Sequence, residues 1–146
     1  MTSLTLDQAS LIADQALLKG RQSSFAPLTV AVLDAGGQLK VLKREDKSSL
    51  LRPEIAIGKA WGVLGMGFGG RELATRAQAV PTFFTALNAM SNGRMVPVAG
   101  GVLIKDAQGE IIGSVGISGD TSDNDEICAV HGIKAAALLP DTGRKE

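Results

Sequence analysis

Aromatic residues are scarce in this chain: no tyrosine, one tryptophan and four phenylalanines in 146 residues. Sites for single-stranded nucleic acid stack bases on aromatic rings, so this scarcity counts against that class. Charge of one sign is also missing, because fifteen basic residues are matched by fifteen acidic ones. The balance leaves no electrostatic footprint for DNA, RNA or an anionic membrane. Cys128 is the single cysteine, which excludes an internal disulfide and gives no sign of an oxidising compartment. Asp7 and Asp14 interrupt the first apolar stretch and no basic segment precedes it. Neither a leader nor a membrane span is expected there, and the expected location is cytoplasmic. His131 is the single histidine, no metal box is present, and no metal is expected.

What the chain does have is small apolar residues. Its hydrophobic content is 45% and it holds 18 glycines. A chain of this length makes one domain, residues 1–146, with a core that needs no staples. Small side chains permit close approach of helix to sheet.

The order of elements follows from local chemistry. Thr5 and Gln8 form a capping-box pattern that opens a helix over 6–19, with Gly20 as its stop. Two β-type runs, 28–34 and 39–44, flank Ala35-Gly36-Gly37, and this spacing predicts a hairpin with Asp34 bonded to its turn. Pro53 and Glu54 start a helix that reaches about Leu64. Gly58 and Gly62, one turn apart, predict close packing against another segment, at about 1 kcal/mol each in helix propensity. Two short helices follow from Arg71 and Pro81, the second ended by Asn92-Gly93. Segments 101–105 and 111–117 complete the sheet. A last helix is expected over 124–139, capped by Ser122 or Asp123 and stopped by Pro140, with a frayed tail beyond. Strands joined by such tight turns must be antiparallel. The fold class is therefore α/β of the α+β kind, a four- or five-stranded antiparallel sheet with helices on its faces.

The run GGVLIKDAQGEIIGSVGISGDTSDNDEICAVHGI from Gly100, with VAVLDAGGQLKVLKRED and RPEIAIGKA upstream, resembles the haem-degrading and haem-binding family of GlcG and HbpS type. It is also similar to the C-terminal domain of PduO-type proteins. The most specific part is the elbow of Gly113, Gly116, Ser118 and Gly119 followed by Asp125 and Glu126. The resemblance implies a profilin-like or PAS-like domain, a homo-oligomer (dimer or octamer), haem as a possible cofactor, and a setting in catabolic operons. Gly116, Ser118 and Gly119 are the expected cofactor-site residues, and His131 is a candidate axial ligand on its chemistry alone, because an imidazole is a standard proximal donor. One departure is plain: an alanine- and threonine-rich helix usual after Lys59 is replaced by Trp61-GVLGMGFGG.

Charge near the elbow supports a second reading. Lys59 and Arg52 would clamp a small carboxylate, and Asp125 or Glu126 would carry a proton. The expected pocket lies between the elbow, the start of the last helix and the helix of Lys59. Three functions stay open: haem binding or handling, a cofactor-independent isomerase, decarboxylase or lyase, and a non-catalytic accessory oligomer. The glycine run 65–70 follows a helix and lacks a Gly-Lys-Ser/Thr ending, so it does not read as a phosphate loop.

Overall fold

The computed structural model describes residues 3–145. Helix α1 spans Leu6–Gln22, and its capping box forms as expected: the Gln8 amide donates to Thr5 Oγ1 and the Thr5 amide to Gln8 Oε1. Gly20 does not stop it. The residue is buried within the helix, and any side chain there would collide with Leu28. The helix instead ends at Ser23, where the chain turns through Ser24 at φ 58°.

Strands β1 (Thr29–Asp34) and β2 (Leu39–Arg44) form the first hairpin. Asp34 Oδ1 accepts from the amides of Gly36 and Gln38, which is the turn role its position predicts. Helices α2 (Arg52–Met66), α3 (Gly70–Ala79) and α4 (Pro81–Met90) follow, then β3 (Gly101–Lys105) and β4 (Ile111–Ser118). Helix α5 spans Ser122–Ala135, and a three-residue strand β5, Leu139–Asp141, closes the sheet.

The sheet has five strands in the order β2-β1-β4-β3-β5, every neighbour antiparallel. Helices α1 and α5 cover one face and α2 the other. This is the PAS-like and profilin-like arrangement that the sequence leads one to expect. Three details at the C-terminal end differ. The cap of α5 is Thr121, whose Oγ1 accepts from the Asn124 amide, and not Ser122 or Asp123. The helix stops at Ala135, where Ala137 turns left-handed at φ 60° and the Leu138 amide donates back to the Ile133 carbonyl; Pro140 lies beyond, in β5 on the edge of β3. The tail is tied down as well: Lys105 pairs with Asp141 at 2.7 Å, and the Thr142 carbonyl accepts from the Arg71 amide.

The alternation along β4 explains the layer spacing. Val115 and Ile117 point into the larger core with Ile12, Val30, Val102 and Ile133. Ser114, Gly116 and Ser118 point the other way, toward α2. That face is small, so α2 settles directly on the strand: Ser114 Oγ donates to the Ala60 carbonyl at 2.7 Å. A Cβ at Gly116 would fall on the Ala56 carbonyl, and one at Gly101 on the Lys59 carbonyl. On the outer side of α2, Gly58 and Gly62 meet Val96 and Met95, which is the close packing their spacing predicts.

Gly116→Ala is therefore expected to destabilise the fold by about 3 kcal/mol, since backbone on both sides must move to admit one methyl. A urea midpoint within error of the parent's would show that α2 is not seated as described.

Candidate functional site

The end of β4 brings together most of the residues expected to carry function. Helix α2 aims Lys59 across the top of the sheet, through a gap kept open by Gly100. Its Nζ donates to the Ile117 carbonyl at 2.8 Å and to Asp125 Oδ2 at 3.1 Å. Asp125 lies in the first turn of α5, and its Oδ1 accepts from the Asp120 amide at 3.0 Å. Both side chains are buried, 4% and 1% exposed. Burial pushes the Lys59 pKa down, opposed by the Asp125 charge, and the same burial pushes Asp125 up, opposed by Lys59. The two proton affinities are thus drawn toward each other.

Around this pair the charges are already matched. Glu126, also buried, lies against Arg71: Nε donates to Oε1 at 3.1 Å and sits 2.9 Å from Oε2. The single Nε hydrogen is directed at Oε1, so Oε2 has charge contact with no hydrogen bond. Arg71 also donates to Asp123 at 2.8 Å, and Arg144 approaches Glu126 at 3.5 Å. The Glu126 and Asp123 hydrogen bonds hold the Arg71 pKa up. Arg52 donates through Nη1 to Ser118 Oγ at 3.1 Å. Asp120 accepts from the Ala26 amide, the Asn124 side chain and the Thr121 amide, which lowers its pKa.

The pocket expected at the elbow is closed in this arrangement. Lys59 does point at the elbow, but its charge is spent on Asp125. Gly116 faces the Ala56 carbonyl, Gly119 the Pro27 carbonyl, and Ser118 is fully buried. Of the groups foreseen as two walls of a cavity, Lys59 and Asp125 meet each other instead, while Arg52 bonds to Ser118 and Glu126 to Arg71. His131 stands apart from this cluster, half-buried on α5 one turn beyond Ile127. Cys128 is buried among apolar groups that push its pKa up to about 11, so it is no nucleophile. Among the described residues no group of His, Cys, Asp and Glu is placed to hold a metal ion.

An open cleft lies elsewhere, and the sequence does not announce it. A cavity of about 710 Å³ runs between the β1–β2 turn, the outer face of α2 and the segment 93–96. Trp61 forms part of its wall, with the Arg94 guanidinium 4.2 Å above its ring. The one available signal was the lone tryptophan in a glycine-rich stretch. A second cavity of about 840 Å³, near the ends of both hairpin turns, is lined by Asp34, Asp106 and Glu110 among others.

Comparison with known proteins adds a frame to this geometry. The family described as "Haem degrading protein HbpS-like" matches residues 4–134. The fold superposes on the crystal structure of a PduOC:heme complex with a TM-score of 0.85 and 26% identity, covering 98% of this chain and 100% of that one. For the crystal structure of HbpS the TM-score is 0.79 and the identity 27%, covering 92% and 90% of the two chains. The corrinoid adenosyltransferase PduO of Salmonella typhimurium is 30% identical over 122 residues, which is 83% of this chain and 35% of that protein. The chain thus spans about a third of that enzyme's length.

Two outcomes test the junction. Lys59→Met leaves the Asp125 carboxylate buried without its partner and should cost about 3–5 kcal/mol in chemical denaturation. The double variant Lys59→Met/Asp125→Asn should recover most of that loss, because the amide still accepts from Asp120 and no charge is stranded. A double variant no more stable than Lys59→Met alone would mean that the pair is not what holds the layers.

Asp120 predicts the acid limb. Its folded pKa lies below the unfolded value of 3.8, so its contribution is present above 3.8 and is lost as the pH falls through the folded value. Asp120→Asn should flatten the decline of the urea midpoint below that pH. An acid limb identical to the parent's would assign the effect to other carboxylates.

Proposed function

The chain belongs to the HbpS-like family of haem-degrading proteins, and on that premise we propose that it is a haem-binding or haem-handling protein. The supporting observation is the match of its whole fold to a chain crystallised with haem, 98% of this one on 100% of that one. The residues fit such a ligand at His131. Its imidazole makes no hydrogen bond or ion pair among the described residues, and it lies half-buried on a helix face rather than in the core. An imidazole nitrogen left free in this way is a standard axial donor. Ile127, 45% exposed one turn before it, offers apolar surface to a macrocycle, and the exposed Lys134 three residues after it offers charge to a propionate. Bound haem would supply iron-centred ligand binding and redox chemistry. In this reading Gly116, Ser118 and Gly119 act from behind, by seating the elbow from which α5 springs.

The same proposal takes the protein to be a cytoplasmic homo-oligomer, a dimer or an octamer. No described helix is long and apolar enough to cross a membrane. Helix α4 has no charged residue and exposes Phe83 and Met90, 53% and 75% accessible, which supports a covering second copy.

A second reading, a cofactor-independent isomerase, decarboxylase or lyase, has one observation in its favour. Lys59 and Asp125 are an acid and a base whose proton affinities burial draws together. With Arg52 and Glu126 beside them they would handle a small carboxylate, provided the first turn of α5 opens to admit it.

Titration of the purified protein with haemin decides between these readings. A saturable Soret band is expected, and His131→Ala should abolish or shift it while sedimentation shows the assembly intact. A Soret band unchanged in that variant would remove His131 as the ligand, and the absence of any saturable band would remove the haem reading itself.

A further inference from the structure

Among the described arginines, Arg94 alone has neither a carboxylate partner nor an acceptor on a terminal nitrogen. Arg21, Arg71, Arg76 and Arg144 each pair with a carboxylate, while Arg44 and Arg52 donate through Nη1 to protein oxygens. Arg94 donates through Nε alone, to the Ser91 carbonyl at 3.0 Å. Its guanidinium carbon stacks 4.2 Å from the Trp61 ring centre. Those two contacts fix the plane of the group and leave Nη1 and Nη2 without an acceptor among the described residues. An immobilised guanidinium with both terminal nitrogens free is a device for gripping a carboxylate through two parallel hydrogen bonds.

The group stands at the 710 Å³ cleft, whose other walls include the partly buried Ile55, Ile57 and Val96. Glu54 lines the same cleft and forms no ion pair with Arg94, so it keeps its own field there. One positive fork, an apolar wall and one negative charge define a narrow ligand class. We propose that this cleft binds a monocarboxylate with an apolar body, the carboxylate held by Arg94 and the body lying on Ile55, Ile57 and Val96. Glu54, exposed at the rim of the same cleft, disfavours a second carboxylate on the ligand by like-charge repulsion. The site is separate from His131 and does not rest on the haem reading.

Trp61 is the only tryptophan of the chain, so its emission reads the cleft directly. Octanoate is the probe and 1-octanol, which has the same chain and no charge, is its control. Octanoate should change the Trp61 emission saturably and bind roughly tenfold or more tightly than octanol. Arg94→Gln should weaken octanoate by a similar factor in calorimetry, a readout that does not depend on the altered stack, with the far-ultraviolet dichroism unchanged. Glu54→Gln should bind octanoate at least as well as the parent. Equal affinity for octanoate and octanol, undiminished binding by Arg94→Gln, or no saturable signal would each overturn the proposal. Haemin, which carries two carboxylates, should give Arg94→Gln the parent's Soret titration; its loss there would overturn the one-carboxylate selectivity while leaving haem binding itself in place.

Discussion

The ammonium of Lys59, held between the Ile117 carbonyl and the Asp125 carboxylate, joins the two layers of this protein. Lys59 comes from the helix on one face of the sheet and Asp125 from the helix on the other, and they meet at the end of β4. Burying a lysine and an aspartate costs several kcal/mol per ion, and the loss is offset only when the geometry is good and the remaining polar atoms are satisfied. Here Asp125 takes a further hydrogen bond from the Asp120 amide, and Asp120 in turn accepts from the Ala26 amide. The pair therefore fixes the start of α5, the elbow before it and the loop that leads into β1.

Such a bridge requires the layers to be close, and small residues make them so. Serine and glycine alternate with valine and isoleucine along β4, so one face of the strand is bulky and the other nearly flat. Ala56 and Ala60 bring the backbone of α2 against the flat face, Gly101 admits the Lys59 backbone beside β3, and Gly100 leaves the opening through which the Lys59 side chain passes. Larger side chains at these positions would lift the helix and leave its lysine short of Asp125.

The consequence for function is that the most charged part of the chain is also its most self-satisfied. Lys59, Asp125, Glu126 and Arg71 neutralise one another, which suits a brace better than an open binding wall. Groups available to a ligand lie away from the junction: the imidazole of His131 on the outer part of α5, and the guanidinium of Arg94 over Trp61. Neither belongs to a dense motif, because a single donor needs no neighbours in sequence to be effective.

The strands and most helices were legible in the sequence, because their causes are local. Runs rich in β-branched and leucine residues mark 28–34 and 111–117, glycine marks the turns, and Thr5 with Gln8 marks the first cap. The resemblance to the HbpS-like family was legible for the same reason, since the elbow and the acidic start of the last helix lie in one continuous run. Tertiary structure alone decided the rest. Gly20 continues a helix because Leu28 needs the space in front of it, and Leu139–Asp141 becomes a strand because β3 has a free edge to pair with. The burial of Lys59, which closes the expected pocket, depends on Asp125 arriving from 66 residues away. The composition states that a charge exists. Only the fold determines whether that charge meets water, a ligand or its opposite, because the energy of a charge depends on surroundings that distant parts of the chain supply.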